Sequence, residues 1–215
     1  MRDVDGQDRR GVGRKEAIVD AAFAALMADG LPHLSYDRIA REAGVTRQLV
    51  RYHFPDPETL MLTLCDHLAA VYRETLIGEI AGCAAEARLD AFLDFYFDLI
   101  AGTPKPRDDR AYDALMSLSA GSDRIRRALR GQYTLLGQVV AHEVKQKHPS
   151  IPLPACEEIA YQFVIVMYGH WKMVATLGLH PSHNRVARDA LRRIIASHVE
   201  DPGVQADVAR WKEAE

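Results

Sequence analysis

The stretch that most constrains this chain is Ser35 to Pro57, SYDRIAREAGVTRQLVRYHFPDP. A single glycine, Gly44, separates two segments that each carry a helix-start residue. Ser35 suits the N-cap of the first and Thr46 that of the second, because a short side-chain oxygen can accept from an amide the first turn leaves unpaired. Ile39, Ala40 and Ala43 form the apolar side of the first segment, Leu49 and Val50 that of the second. Gly44 can take the positive φ that a three-residue turn between crossed helices requires. Ala40 is small enough for close approach, and Val45 and Val50 plug the angle between the axes. Phe54-Pro55 ends the second helix, since proline disfavours helix at the residue before it. Asp56 as N-cap and Pro57 at the first helical position start another at once. The spacing predicts a helix-turn-helix.

The remainder punctuates helices in the same way. Gly11-Val12-Gly13 sets off a polar tail, predicted flexible over residues 1–13. From Arg14, Ile18, Ala21, Ala22, Ala25 and Leu26 recur at helical spacing, closed by Gly30. Leu60, Leu64, Leu68, Val71 and Leu76 carry the helix after Pro57 to about Ala81. Further helical patterns cover Leu89–Ala101, Ala111–Ala120, Ile125–Lys147, Ala155–Leu177 and Val186–Val199. Thr103–Asp109 and His148–Pro154 are proline-rich breaks. Asp201-Pro202, followed by Val204, Val208 and Trp211, predicts a short docked C-terminal helix. With no alternating strand and no internal repeat, the predicted class is all-α. The predicted division is a helix-turn-helix domain over residues 14–56 and a larger helical domain over residues 57–215.

The totals bound the function. The chain has 215 residues, enough to bury a core. A net charge of -3 excludes a uniformly basic nucleic-acid coat but not one basic face. No apolar run approaches the ~18–20 residues of a membrane helix, and the N-terminus MRDVDGQDRRGVGRK lacks an apolar signal core. Cys65, Cys83 and Cys156 read as packed thiols of a reducing cytoplasm. There is no Gly-rich phosphate loop, no His-Glu-x-x-His and no Gly-x-Ser-x-Gly, so no enzyme, metal or cofactor is expected. His180 and His183 read as solvated, and Asp108-Asp109 and Glu157-Glu158 as helix-start charges.

In a helix-turn-helix the second helix enters the major groove by its N-terminal end. Arg47, Gln48 and Arg51 then become candidates for base edges, because arginine pairs with guanine and glutamine with adenine in bidentate fashion. Arg14, Ser35, Tyr36, Thr46, Tyr52 and His53 are candidates for backbone phosphate. In the larger domain Tyr96, Tyr112, Met116, Tyr133, Met167, His170 and Trp171 are candidates for a mostly apolar small-molecule pocket. Their helical spacing suits plain core equally well.

The run LSYDRIAREAGVTRQLVRYHFPDPETLM, Leu34 to Met61, resembles the DNA-binding region of TetR-type transcriptional regulators, down to Tyr52-His53-Phe54-Pro55 before a helix start. The likeness spans roughly Arg14 to Leu64; beyond it only length and helix number agree. The resemblance implies a cytoplasmic homodimer on a palindromic double-stranded operator, usually a repressor. It further implies a small-molecule effector in the larger domain, relayed to the head by the helix after the recognition helix. Ala155–Leu177 and Val186–Val199 would pair with their dimer mates. Two departures stand out. The family usually has a phosphate-facing lysine where this chain has Pro57, and often Gly near Gln48 and an aromatic residue near Arg51. Arg51 is therefore the candidate replacement for the missing cation. Two other classes fit the larger domain: an effector-independent DNA-binding adaptor, and a helical small-molecule binder or enzyme that never touches DNA.

Overall fold

The computed structural model describes residues 4–203 except Ala81 and Pro104, with side chains described from Gly13 onward apart from Glu79. The order is α1 (Val4–Asp29), a 3-10 turn (Leu31–His33), α2 (Tyr36–Ala43), α3 (Arg47–His53), α4 (Pro57–Ile80), α5 (Ala85–Tyr96), α6 (Asp109–Ser119), α7 (Asp123–Lys147), α8 (Leu153–Trp171), a π turn (Lys172–Thr176) and α9 (His183–Glu200). Among the described residues there is no strand, as an all-α class requires.

The helix expected from Arg14 begins at Val4 instead, so the described part of the expected flexible tail is helical through Gly11 and Gly13. A helix already nucleated by the buried Ile18–Leu26 face extends at little cost per residue, and the polar sequence ahead of Arg14 contains no proline to stop it. α5 departs at its other end. It stops at Tyr96, not Ala101, because Asp98 adopts a left-handed φ of 55°. The Leu99 amide donates to Asp94 O and the Asp98 amide to Phe95 O, the paired bonds of a Schellman stop. An aspartate there carries strain that glycine would not. Its carboxylate offsets this by accepting from the Lys105 amide at 2.8 Å and the Arg107 guanidinium at 2.6 Å. α8 starts two residues early at Leu153, which moves Glu157 and Glu158 out of its first turn. The expected helix over Val204, Val208 and Trp211 lies outside the described residues.

Packing divides the chain into two compact units. The first holds residues up to Ala70 together with Arg110–Leu129, and the second holds Val71–Asp109 and residues from Arg130 on. α1 packs on α2 and α2 on α3. The face predicted for α1 is the buried one: Ile18, Ala21, Ala22, Ala25 and Leu26 all lie inside, with Ile39, Ala40, Val50 and Phe54. Ala43, Val45 and Leu49 are only half-buried. In the second unit α8 packs on α9, and the core gathers Phe92, Phe95, Tyr96, Phe97, Phe163 and Trp171. No described helix is long and apolar enough to cross a membrane.

Candidate functional site

The turn between α2 and α3 is built as the residues dictate. Ser35 Oγ accepts from the Arg38 amide at 3.2 Å, and Thr46 Oγ1 accepts from the Leu49 amide at 3.2 Å. Gly44 sits at φ 63°, ψ 31°, and the Val45 amide closes the turn on Ala40 O at 2.9 Å. A Cβ at Gly44 would meet no atom, so the glycine is required by backbone conformation and not by space. Each cap uses an oxygen lone pair and leaves the hydroxyl proton able to donate outward.

α3 has one fully buried anchor, Val50, with Leu49 and His53 half-buried and the other side chains exposed. Arg47, Gln48 and Arg51 are exposed together on it. Arg47 rests in an ion pair with Asp37 at 2.9 Å. Both side chains are well exposed, so exchanging that carboxylate for another acceptor costs little. Tyr52 is 80% exposed, the most open large ring among the described apolar residues, and its ring meets His53 edge-on at 5.3 Å. Arg14 is also exposed, on α1.

Tyr36 is used differently from the phosphate contact expected of it. Its hydroxyl donates to Phe54 O at 2.7 Å, so its one proton is committed inside the head. Burial raises the phenol pKa above its ordinary value, with Asp56 adding to the rise and Arg51 opposing it. The start of α4 is likewise occupied. Asp56 accepts from the Thr59 amide and the Thr59 hydroxyl, both at 2.7 Å, which holds its carboxylate below the usual range. Glu58 accepts from Ser122 and, at 2.7 Å, from Arg124, and is lowered for the same reason. Where the resemblance leads one to expect a cation, this chain presents a capped helix start between two satisfied carboxylates. A groove of about 600 Å³ lies beside α3, with Ser35, Arg47, Arg51, Leu60, Met61 and Ile125 among its lining.

The seven pocket candidates are shared between the two units. Tyr112 and Met116 belong to the first unit, and Tyr96, Tyr133, Met167, His170 and Trp171 to the second. Tyr96, Met167 and Trp171 are buried. Trp171 Nε1 donates to Tyr96 O at 2.9 Å, and Tyr96 stacks on Tyr72 with ring centroids 5.8 Å apart. His170 Nε2 meets Asn184 Oδ1 at 3.0 Å, so the ring is held within the fold, and burial lowers its pKa. Tyr133 meets Tyr168 edge-on at 6.4 Å. His180 and His183 bond locally in an exposed turn, and no group of metal-ligating side chains occurs among the described residues.

Sequence reasoning missed the most unusual polar cluster of this unit. Lys105 and Asp108, in the proline-rich break, are 3% and 1% exposed. The Lys105 ammonium lies 4.4 Å from the Trp171 ring centroid, 3.6 Å from Asp108 Oδ1 and 3.3 Å from Asp109 Oδ2. Burial pushes Asp108 up to about 6, against the opposing pull of Lys105 and the Tyr72 hydroxyl. The signal was present as a lysine and two aspartates within five residues, KPRDD, but a sequence does not show which turn folds inward.

Residues 18–64 match the family described as bacterial regulatory proteins, tetR family. An HTH-type transcriptional regulator BetI of Escherichia coli O17:K52:H18 is 23% identical over 189 residues, covering 86% of this chain and 94% of that protein. A TetR transcription regulator from Haloarcula marismortui superposes with a TM-score of 0.74 at 17% identity, over 86% of this chain and 98% of that one. A transcriptional regulator from Saccharomonospora viridis in complex with choline does so with a TM-score of 0.68 at 17% identity, over 87% and 95%.

Proposed function

We propose that this chain, a TetR-type DNA-binding transcriptional regulator, is a homodimeric cytoplasmic repressor that leaves a palindromic operator when a small molecule binds its helical domain. The observation that carries the reading is α3, a short helix with one buried anchor that presents Arg47, Gln48 and Arg51 to solvent from a capped N-terminus. Arg47 and Gln48, in the first turn, suit the base edges of a major groove, and Arg51, one turn on, suits a base edge or the phosphate that a lysine would otherwise meet. The hydroxyls of Ser35 and Thr46, the open Tyr52, the half-buried His53 and the exposed Arg14 suit the phosphates on either side. The functional division we infer is a reading head over residues 14–56 and an effector and dimerisation domain over residues 57–215.

Dimerisation through Ala155–Leu177 and Val186–Val199 has its own support. Tyr161 and Ile165 lie one turn apart on α8 and are exposed, as are Val186 and Val199 on α9. The open Tyr161 and Ile165 share one face of α8 and suit burial against a second copy, whereas Val186 and Val199 point to different sides of α9, so one of them at most adds to the same face. Effector action is then a population shift: the ligand binds the conformation whose heads are misplaced and DNA binds the other, so each weakens the other. A small organic cation is the effector class suggested by the choline-bound relative.

The test is selection from a random duplex pool at low salt, followed by release trials with small molecules. An enriched palindrome supports the head, the symmetry and the half-site spacing together. Failure to enrich any sequence refutes the reading. A second reading, an effector-independent adaptor, draws on the burial of Tyr96, Met167 and Trp171 in packed core. Operator binding that no metabolite extract moves would favour it.

A further inference from the structure

We propose that Tyr72, Trp171, Asp108 and Asp109 form a binding site for a small organic ammonium ion, and that Lys105 is its built-in occupant, displaced when the ligand enters. The proposal rests on the effector reading above only for its regulatory meaning; the site itself stands on geometry. The Lys105 ammonium lies 4.4 Å from the Trp171 ring centroid and 5.7 Å from that of Tyr72. Its Nζ is 3.3 Å from Asp109 Oδ2, 3.6 Å from Asp108 Oδ1 and 3.0 Å from Pro106 O. Aromatic faces with nearby carboxylates are the surroundings in which quaternary ammonium ligands are recognised.

Two features distinguish this cluster from an ordinary buried ion pair. Asp108 is 1% exposed, yet its Oδ2 accepts no hydrogen bond among the described residues. A buried carboxylate oxygen with no donor is costly, and natural folds rarely leave one without a use. The second feature is how Lys105 is held. Its backbone amide is fixed to Asp98 Oδ1 at 2.8 Å, while Arg107 is fixed to Asp98 Oδ2 at 2.6 Å. One carboxylate thus anchors the loop at the lysine's own amide and two residues beyond it, so the backbone is held independently of where the lysine ammonium lies. The lysine side chain and tetramethylammonium have the same number of non-hydrogen atoms, so the volume vacated matches the head of such a ligand. The exchange puts one monovalent cation in place of another, so the net charge beside Asp108 and Asp109 is the same at its end as at its start.

The experiment uses the full chain and needs no operator. Amine-reactive acetylation, read peptide by peptide by mass spectrometry, should label Lys105 slowly. Tetramethylammonium chloride should speed that labelling at least fivefold, while tert-butanol, its neutral counterpart in size, should not. Unchanged labelling under saturating tetramethylammonium overturns the proposal. In parallel, Lys105→Ala should bind tetramethylammonium at least tenfold more tightly than the unmodified chain by calorimetry, with helical content unchanged. Equal binding, or none, in a folded variant overturns it; if the variant does not fold, the labelling result decides alone. Binding here without operator release supports the site and refutes its use as the effector site. Operator release by another ligand, with no binding here, refutes the site and leaves the regulator reading intact.

Discussion

The hydroxyl of Tyr36 donates to the carbonyl of Phe54 at 2.7 Å, which ties the first residue of α2 to the residue that ends α3. The tie fixes the far end of the recognition helix, while Thr46 caps its near end. Tyr36→Phe should therefore cost about 1 kcal/mol of stability, the net worth of one such bond. It should also weaken operator binding without changing which bases are preferred. Denaturant melts and a binding series over operator variants measure both. A change in base preference would mean that Tyr36 reads DNA directly.

Arg51 lines the same groove as Pro57, and we propose it as the replacement for the cation absent there. Arg51→Ala should weaken binding evenly across operator variants, with the slope of log affinity against log salt shallower by about one per head. Arg47→Ala should instead relax the preference at one base position, at about 1–3 kcal/mol. If Arg51→Ala shifts the preferred base, then Arg51 is a base contact and the missing charge has not been replaced.

How much of this could be read from residue order depends on range. Ser35, Gly44, Thr46 and Asp56 act on amides within a few positions of themselves, so their caps and turn follow from local chemistry and appear as expected. Tyr36 looked like a phosphate donor because its partner lies 18 positions away. The end of α5 was misplaced because an aspartate at φ 55° depends on donors from Lys105 and Arg107, beyond any helical window. The pocket candidates were chosen by residue type, and type alone could not separate Tyr112 and Met116 from the other five. Lys105 was passed over because charged residues in a proline-rich break are ordinarily solvated.

Asp108 gives the second unit a measurable acid response. Its pKa rises from 3.8 to about 6 on folding, through burial. The folded chain then holds a proton that the unfolded chain has lost, so this group's contribution to stability falls as pH rises from about 4 to 6. Integrated over the shift, the fall is about 3 kcal/mol. Asp108→Asn, which can still accept from Tyr72, should remove that slope. Unfolding free energies at the two ends of the window, for both proteins, test it; a parent chain that gains on the variant with rising pH would contradict it.

The proposed dimer face makes a separate prediction. Ile165→Asp places a charge among exposed apolar side chains of α8. Light scattering should show half the mass of the parent chain, and operator affinity should fall at least tenfold with the lost symmetry. Helical content should not change, because the position is already open to water. A dimer that survives the substitution would move the interface elsewhere.

Glu58 and its partner Ser122 are 64 residues apart in sequence. At ordinary synthesis rates the ribosome needs roughly 3–13 s to make the stretch between them. During that interval the N-terminal part of the first unit has its own turn and caps but lacks the partners of Glu58, and the groove lined by Leu60 and Met61 lacks Leu118 and Ile125. A fragment cut after α4 would hold that unfinished state permanently. Expression of the head alone should accordingly yield a chaperone-bound or proteolysed product, whereas adding Arg110–Leu129 through a short linker should rescue it.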